Sequence, residues 1–184
     1  MSPHARPMDM HVEDRFRGHR RVRGERVSLP GQVCHVMVAT RGCTPWFDDF
    51  HVACEAVRAF RQPLALADAT LLAWVLMPAH AHWLVELGSQ VPLEALVSRM
   101  KASAGVLVNR MLFRAGPLWE PAFHGRVLAP VDDVRVVARH IIGGPLRAGL
   151  VERIGDYPFW DCVWLPPSAP KRLAAGDAGA VGSG

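Results

Sequence analysis

An α+β fold, an antiparallel sheet with helices packed on one face, is what this chain predicts, and three observations carry that prediction. Short β-rich runs interleave with stretches of helical spacing. The links between them are short, yet the long regular βα repeats of a doubly wound sheet are missing. Half of the 184 residues are hydrophobic, enough for the core of one ordinary domain.

Residues 1–28 read as a basic, disordered tail. They carry Arg6, Arg15, Arg17, Arg20, Arg21, Arg23 and Arg26 with little apolar periodicity. The domain is expected over residues 29–165. Residues 32–40 form a β-rich run through Val33, Val36 and Val38, closed by a turn at residues 42–45. Helical spacing then runs over residues 47–61 through Phe50, Ala53, Cys54, Val57 and Phe60, until Pro63 breaks it. Residues 69–77 read as a strand, Pro78-Ala79 as a kink or bulge, and residues 80–87 as the next strand or its continuation.

Pro92 opens a long helix whose buried stripe is Leu93, Leu96, Val97, Met100, Ala104, Leu107, Val108 and Met111. Ala115-Gly116-Pro117 turns the chain into a short mixed segment, residues 118–128. Asp132 and Asp133 suit the start of a last helix through Val134, Val137, Ala138 and Ile141, which Gly143-Gly144-Pro145 ends. Residues 166–184, rich in Pro, Ala, Gly and Ser, read as a disordered tail.

No apolar run reaches the roughly 18 residues that span a bilayer, and the N-terminal stretch lacks the apolar region of a secretory signal. No membrane partner is therefore expected, and the expected location is the cytoplasm. Cys34, Cys43, Cys54 and Cys162 show no C-x-x-C spacing and read as free thiols, mostly small buried hydrophobes. The basic residues are 19 arginines against two lysines, at a net charge of +4. A pI near 9.2 favours a polyanionic partner. GC-rich coding predicts the same arginine count, and only clustering on one face separates the two.

One stretch carries chemistry: Trp74-Val75-Leu76-Met77-Pro78-Ala79-His80-Ala81-His82-Trp83-Leu84-Val85. On a strand, His80 and His82 share one face while Ala81 and Trp83 take the other. Two imidazoles about 7 Å apart at their backbones can converge on one divalent metal if a third ligand arrives from elsewhere. Histidines near a strand edge also simply hydrogen-bond backbone, and spacing alone leaves both readings open. His35, on the first strand, either faces the same surface or makes a structural hydrogen bond.

Four blocks of the chain between residues 31 and 165 carry a family resemblance. They are Cys34-His35-Val36, Met77-Pro78-Ala79-His80-Ala81-His82-Trp83-Leu84, Gly116-Pro117-Leu118-Trp119-Glu120, and the run from Arg139 to Val151 followed by Asp156-Tyr157-Pro158. In order and spacing they resemble the REP-associated tyrosine transposases, relatives of the insertion-sequence-type, single-tyrosine HUH transposases. The resemblance implies a ferredoxin-like antiparallel sheet, the HUH palm, with His80 and His82 binding Mg²⁺ or Mn²⁺. It implies single-stranded DNA with palindromic hairpins as partner, cut and rejoined in DNA transposition, and a bacterial protein associated with the nucleoid when bound to DNA. The metal would stabilise charge on the scissile phosphate, and a tyrosine on a later helix would attack it.

The chain departs from that pattern at the helix that should hold the nucleophile. Where the family reads R-Y-I-x-x-N-P, this chain reads Arg139-His140-Ile141-Ile142-Gly143-Gly144-Pro145. His140 takes the place of the tyrosine, and Gly144 that of the asparagine one turn later, which the resemblance implies helps hold the metal. A smaller departure is Ala79, where the family often has a polar residue. The single tyrosine, Tyr157, lies in a D-Y-P segment that looks structural in the family. Two expectations follow: a strand-transfer nuclease using His140 as nucleophile or base, or a domesticated, non-catalytic protein that binds DNA hairpins. In either, Arg99, Lys101, Arg110, Arg126, Arg139 and Arg147 are the candidate DNA contacts, against a reading of Arg139 and Arg147 as solvated helix-end charges. Asp48-Asp49 and Asp132-Asp133 read as helix caps and solvated pairs. Trp119, Trp160 and Trp164 either stack on bases or close the core.

Overall fold

Asp49 and Asp133 each accept two backbone N–H groups and so start a helix: His51 and Val52 for Asp49, Arg135 and Val136 for Asp133. Around these caps the computed structural model describes residues 28–165. The two expected tails lie outside the described residues except for Ser28, whose hydroxyl accepts the Leu93 N–H at 3.1 Å. In chain order the elements are β1 (Val33–Ala39), α1 (Phe50–Phe60), the single turn α2 (Pro63–Leu66), β2 (Thr70–Met77), β3 (His80–Glu86), α3 (Leu93–Met111), β4 (His124–Val127), α4 (Val134–Ile142), the single turn α5 (Gly144–Arg147) and β5 (Trp160–Cys162).

The sheet runs β4-β1-β3-β2-β5, antiparallel throughout. Leaving β5 aside, a βαββαβ chain with strand order 4-1-3-2 is the ferredoxin-like arrangement, as expected. β2 and β3 form a hairpin in which Met77 pairs His80 across the two-residue turn Pro78-Ala79. This corrects the reading of Pro78-Ala79 as a kink or bulge; the register shift lies instead between Leu71 and Ala73. The buried Thr40 hydroxyl sits between the carbonyls of Ala79, at the hairpin tip, and Thr44, at 2.9 and 2.7 Å, with one proton to share between them.

One face of the sheet presents Cys34, Val36, Val38, Trp74, Leu76, Ala81, Trp83 and Val85 to α1 and α3. Trp83 is fully buried, with Phe60 at 5.4 Å and Trp119 at 6.2 Å between ring centroids. The α3 stripe matches expectation through Val108, whereas Met111 is partly exposed. The α1 stripe is displaced. Val52, Ala53, Ala56, Ala59 and Phe60 are buried, while Phe50 and Cys54 face out, because the alanines let α1 lie close against α3. The Ser103 hydroxyl of α3 reaches the Ala59 carbonyl at 2.9 Å.

The other face is covered too, which corrects the expectation of helices on one face. Ala138, Ile141 and Ile142 of α4 pack on Ala73, Val75, Met77 and Leu84. The cause was visible in β2. Leu72 to Met77 is buried at every position, as a strand covered on both sides must be. A second correction concerns the thiols: all four are free, but of them only Cys34 is buried, while Cys43 and Cys54 are exposed. Among the described residues no helix is long and apolar enough to cross a membrane.

Candidate functional site

His80 and His82 project from β3 on the face opposite Trp83, under the edge of α4, so the strand alternation holds. Their ring centroids are 5.2 Å apart and nearly perpendicular. His35 comes to the same place from β1: its Nε2 lies 3.1 Å from His82 Nδ1, and the two rings are tilted at 31°. Of the two readings open for His35, facing the surface and making a hydrogen bond, both are true at once. Burial pushes the His80 imidazole down to about 4. His82 is held well below the usual histidine range, first by burial and then by the charges of His80, His35, His140 and Arg147. At neutral pH both rings are uncharged.

His140 and Arg147 reach this face from α4 and α5. Met77, the strand partner of His80, touches the turn between those helices: a Cβ added at Gly144 would lie 3.5 Å from its Sδ and 4.0 Å from Arg147 Nη2. The Arg147 guanidinium folds back over the double glycine and donates from Nη2 to the His140 carbonyl at 2.6 Å. A Cβ at Gly143 would meet Arg147 Nη1 at 2.9 Å, so a bare backbone at this position lets the guanidinium settle there. Sequence reasoning named His140 and Arg147 but missed the part played by Gly143; two successive glycines ahead of a proline were the available signal.

The other candidate contacts divide between two sides of the sheet. Arg126 pairs with His35 in register and therefore shares the histidine face, where its Nη1 is 2.9 Å from Asp132. Arg139 is exposed on α4. Arg99, Lys101 and Arg110 lie on α3, which packs on the opposite face. Lys101 is occupied there, donating to the carbonyls of Glu120 at 2.6 Å and Pro121 at 3.0 Å. The six basic residues thus form no single surface.

Tyr157 is a structural residue in this fold. Its hydroxyl donates to the Leu76 carbonyl at 2.6 Å, and burial pushes the phenol up to about 12. The tryptophans follow suit: Trp119 is buried, the Trp160 indole N–H donates to the Ile154 carbonyl, and Trp164 packs beside the second core cluster.

The metal expectation can be tested on the donors present. Mg²⁺ asks for a near-octahedral set of oxygens, and the donors here are imidazoles. The His35 contact takes up only Nδ1 of His82, while Gly144, at the position the resemblance gives to a third ligand, brings no side chain. A guanidinium whose charge reaches His82 opposes a second cation beside it. Among the described residues no group of three or more His, Cys, Asp or Glu is arranged to hold a metal ion. Among the described residues, His80 and His82 are therefore an incomplete donor set for Mg²⁺ or Mn²⁺.

No protein-family model matches this chain, and no curated protein matches it significantly. Solved structures do. A REP-associated tyrosine transposase bound to a REP hairpin aligns with a TM-score of 0.59 at 18% identity, covering 75% of this chain and 81% of that one. A transposase candidate from Deinococcus radiodurans R1 aligns at 0.47 and 19% identity, covering 66% of this chain and 95% of that one. The likeness of fold rests on the first. With its antiparallel sheet flanked by helices, this chain has the fold of the REP-associated tyrosine transposase.

Proposed function

We propose that this protein is a transposase-derived binder of hairpin-forming single-stranded DNA, seated on the sheet face that carries His35, His80 and His82. The observation that carries the reading is the gathering of Arg126, His140 and Arg147 around that face, in a fold whose solved counterpart was captured with a hairpin. Cations around a groove contribute sequence-independent affinity through phosphate contacts and counterion release. In this reading strand cleavage through a tyrosine is lost. The single phenol is tied to Leu76, and the helix position that should carry the nucleophile is histidine.

The test is equilibrium binding of a labelled DNA hairpin with single-stranded flanks, against a blunt duplex of equal length. The expected result is salt-dependent binding that prefers the hairpin. Binding no tighter than that of an unrelated basic protein at matched salt defeats the proposal.

A second reading keeps chemistry, and the nearness of His140 to His82 favours it. Here neutral His140 attacks phosphorus, or takes the proton of an attacking water, and the P–O bond to one strand oxygen breaks with that oxygen leaving; His80 and His82 would hold a Mg²⁺ or Mn²⁺ that stabilises the phosphate charge. A covalent adduct or a nicked hairpin in the presence of either ion supports it. Retained binding with no product at high protein concentration eliminates it.

A further inference from the structure

Beside the place that the resemblance gives to a third metal ligand lies a cation of the protein's own. Gly144 leaves room beside Met77, and the Arg147 guanidinium lies across the double glycine within 4.0 Å of where a Gly144 Cβ would stand. It is anchored there by the 2.6 Å bond from Nη2 to the His140 carbonyl. Met77 connects the spot to His80, with which it pairs across the β2–β3 hairpin. The depression of His82 by the Arg147 charge is a second sign of that nearness.

We infer that Arg147 substitutes for the divalent cation: it binds a DNA phosphate beside His80 and His82, and hairpin recognition by this protein needs no metal. A guanidinium offers a planar fork of donors that matches two phosphate oxygens, stays charged at every working pH, and requires no ligand set. Gly143 is the residue that permits the pose, since any side chain there meets Nη1. The inference rests on the hairpin-binding reading above and deepens it.

The test uses the full chain and a fluorescein-labelled DNA hairpin with single-stranded flanks, titrated in EDTA and then in Mg²⁺ or Mn²⁺ at matched ionic strength. In EDTA the wild-type affinity should stay within about twofold of its value with metal. Arg147→Gln should weaken binding at least about tenfold, as removal of a charge-assisted phosphate hydrogen bond requires, and lower the slope of log affinity on log salt by about one. Arg147→Lys should keep the slope while binding more weakly. Gly143→Ala, which retains the arginine but displaces it, should weaken binding in the same direction; circular dichroism melts of all three variants report the fold. Binding that vanishes in EDTA and returns with metal overturns this inference and leaves hairpin binding standing, as does Arg147→Gln at wild-type affinity and slope. Failure of the wild-type chain to prefer the hairpin under any condition defeats both.

Discussion

His35 and His82 meet ring nitrogen to ring nitrogen, Nε2 to Nδ1 at 3.1 Å, across the β1–β3 pairing at the centre of the sheet. One must donate and the other accept, so at least one of the two rings is neutral whenever the contact exists. The hydrogen bond also fixes which nitrogen of His82 is turned away from His35.

Removing that partner should free the His82 ring. With His35→Ala, imidazole ¹⁵N spectra of the uncomplexed protein should show His82 changing its tautomer balance, and stability should fall by about 1 kcal/mol. His35→Gln, which can still donate, should restore much of the spectrum. An unaltered His82 signal in His35→Ala would show that the contact does not orient the ring.

The half-buried histidines set an acid limit on stability. The unfolded chain takes up protons near pH 6.5, whereas folded His80 resists until about 4 and His82 to well below its usual range. Between those limits the unfolded state binds more protons, so the stability that is full above pH 6.5 declines as pH falls toward 4. Urea midpoints measured from about pH 8 to about pH 5 should drop, and His80→Gln should flatten the drop. A profile that is level across this window would mean that the histidines are not desolvated.

Tyr157→Phe separates a structural phenol from a reactive one. It leaves the Leu76 carbonyl without its 2.6 Å donor, and chemical denaturation should register a loss of about 1 kcal/mol. Hairpin binding should be unchanged. A large loss of DNA binding or processing at full stability would return Tyr157 to the candidate nucleophiles.

Much of this architecture was legible in the chain, for physical reasons. The β1 and α3 boundaries fell within a residue of those expected, because alternation in one and a long 3.6-residue stripe in the other were uninterrupted. The strict two-residue period placed His80 and His82 on one face. What escaped depended on tertiary contacts. Phe50 and Cys54 are apolar enough to suggest the wrong stripe for α1, and only the close approach of alanines to α3 chose the other. The three-residue β5 is too short to show a period. His35 could be assigned to a surface but not to His82, since cross-strand register is invisible to local pattern. The seat of Arg147 on Gly143-Gly144 is likewise a three-dimensional fact.

The decayed helix can be rebuilt. Gly144 has ordinary van der Waals space for a side chain, with Met77 Sδ at 3.5 Å from an added Cβ, and His140 is exposed. His140→Tyr with Gly144→Asn should therefore fold. With Mn²⁺ it should form a covalent adduct on a labelled hairpin, a product absent from the wild type. A folded double variant that binds the hairpin and yields no adduct would locate the lost chemistry beyond this helix.

The most direct measurement compares two arginine pairs on opposite sides of the sheet. Arg126→Gln with Arg147→Gln strips the histidine face, and Arg99→Gln with Arg110→Gln strips exposed α3. Hairpin affinity at one fixed salt concentration should fall by at least about a hundredfold for the first pair, because the proposed site loses two cations together. For the second pair it should fall by no more than a few-fold. Equal losses, or a greater loss from the α3 pair, would contradict a DNA site on the histidine face.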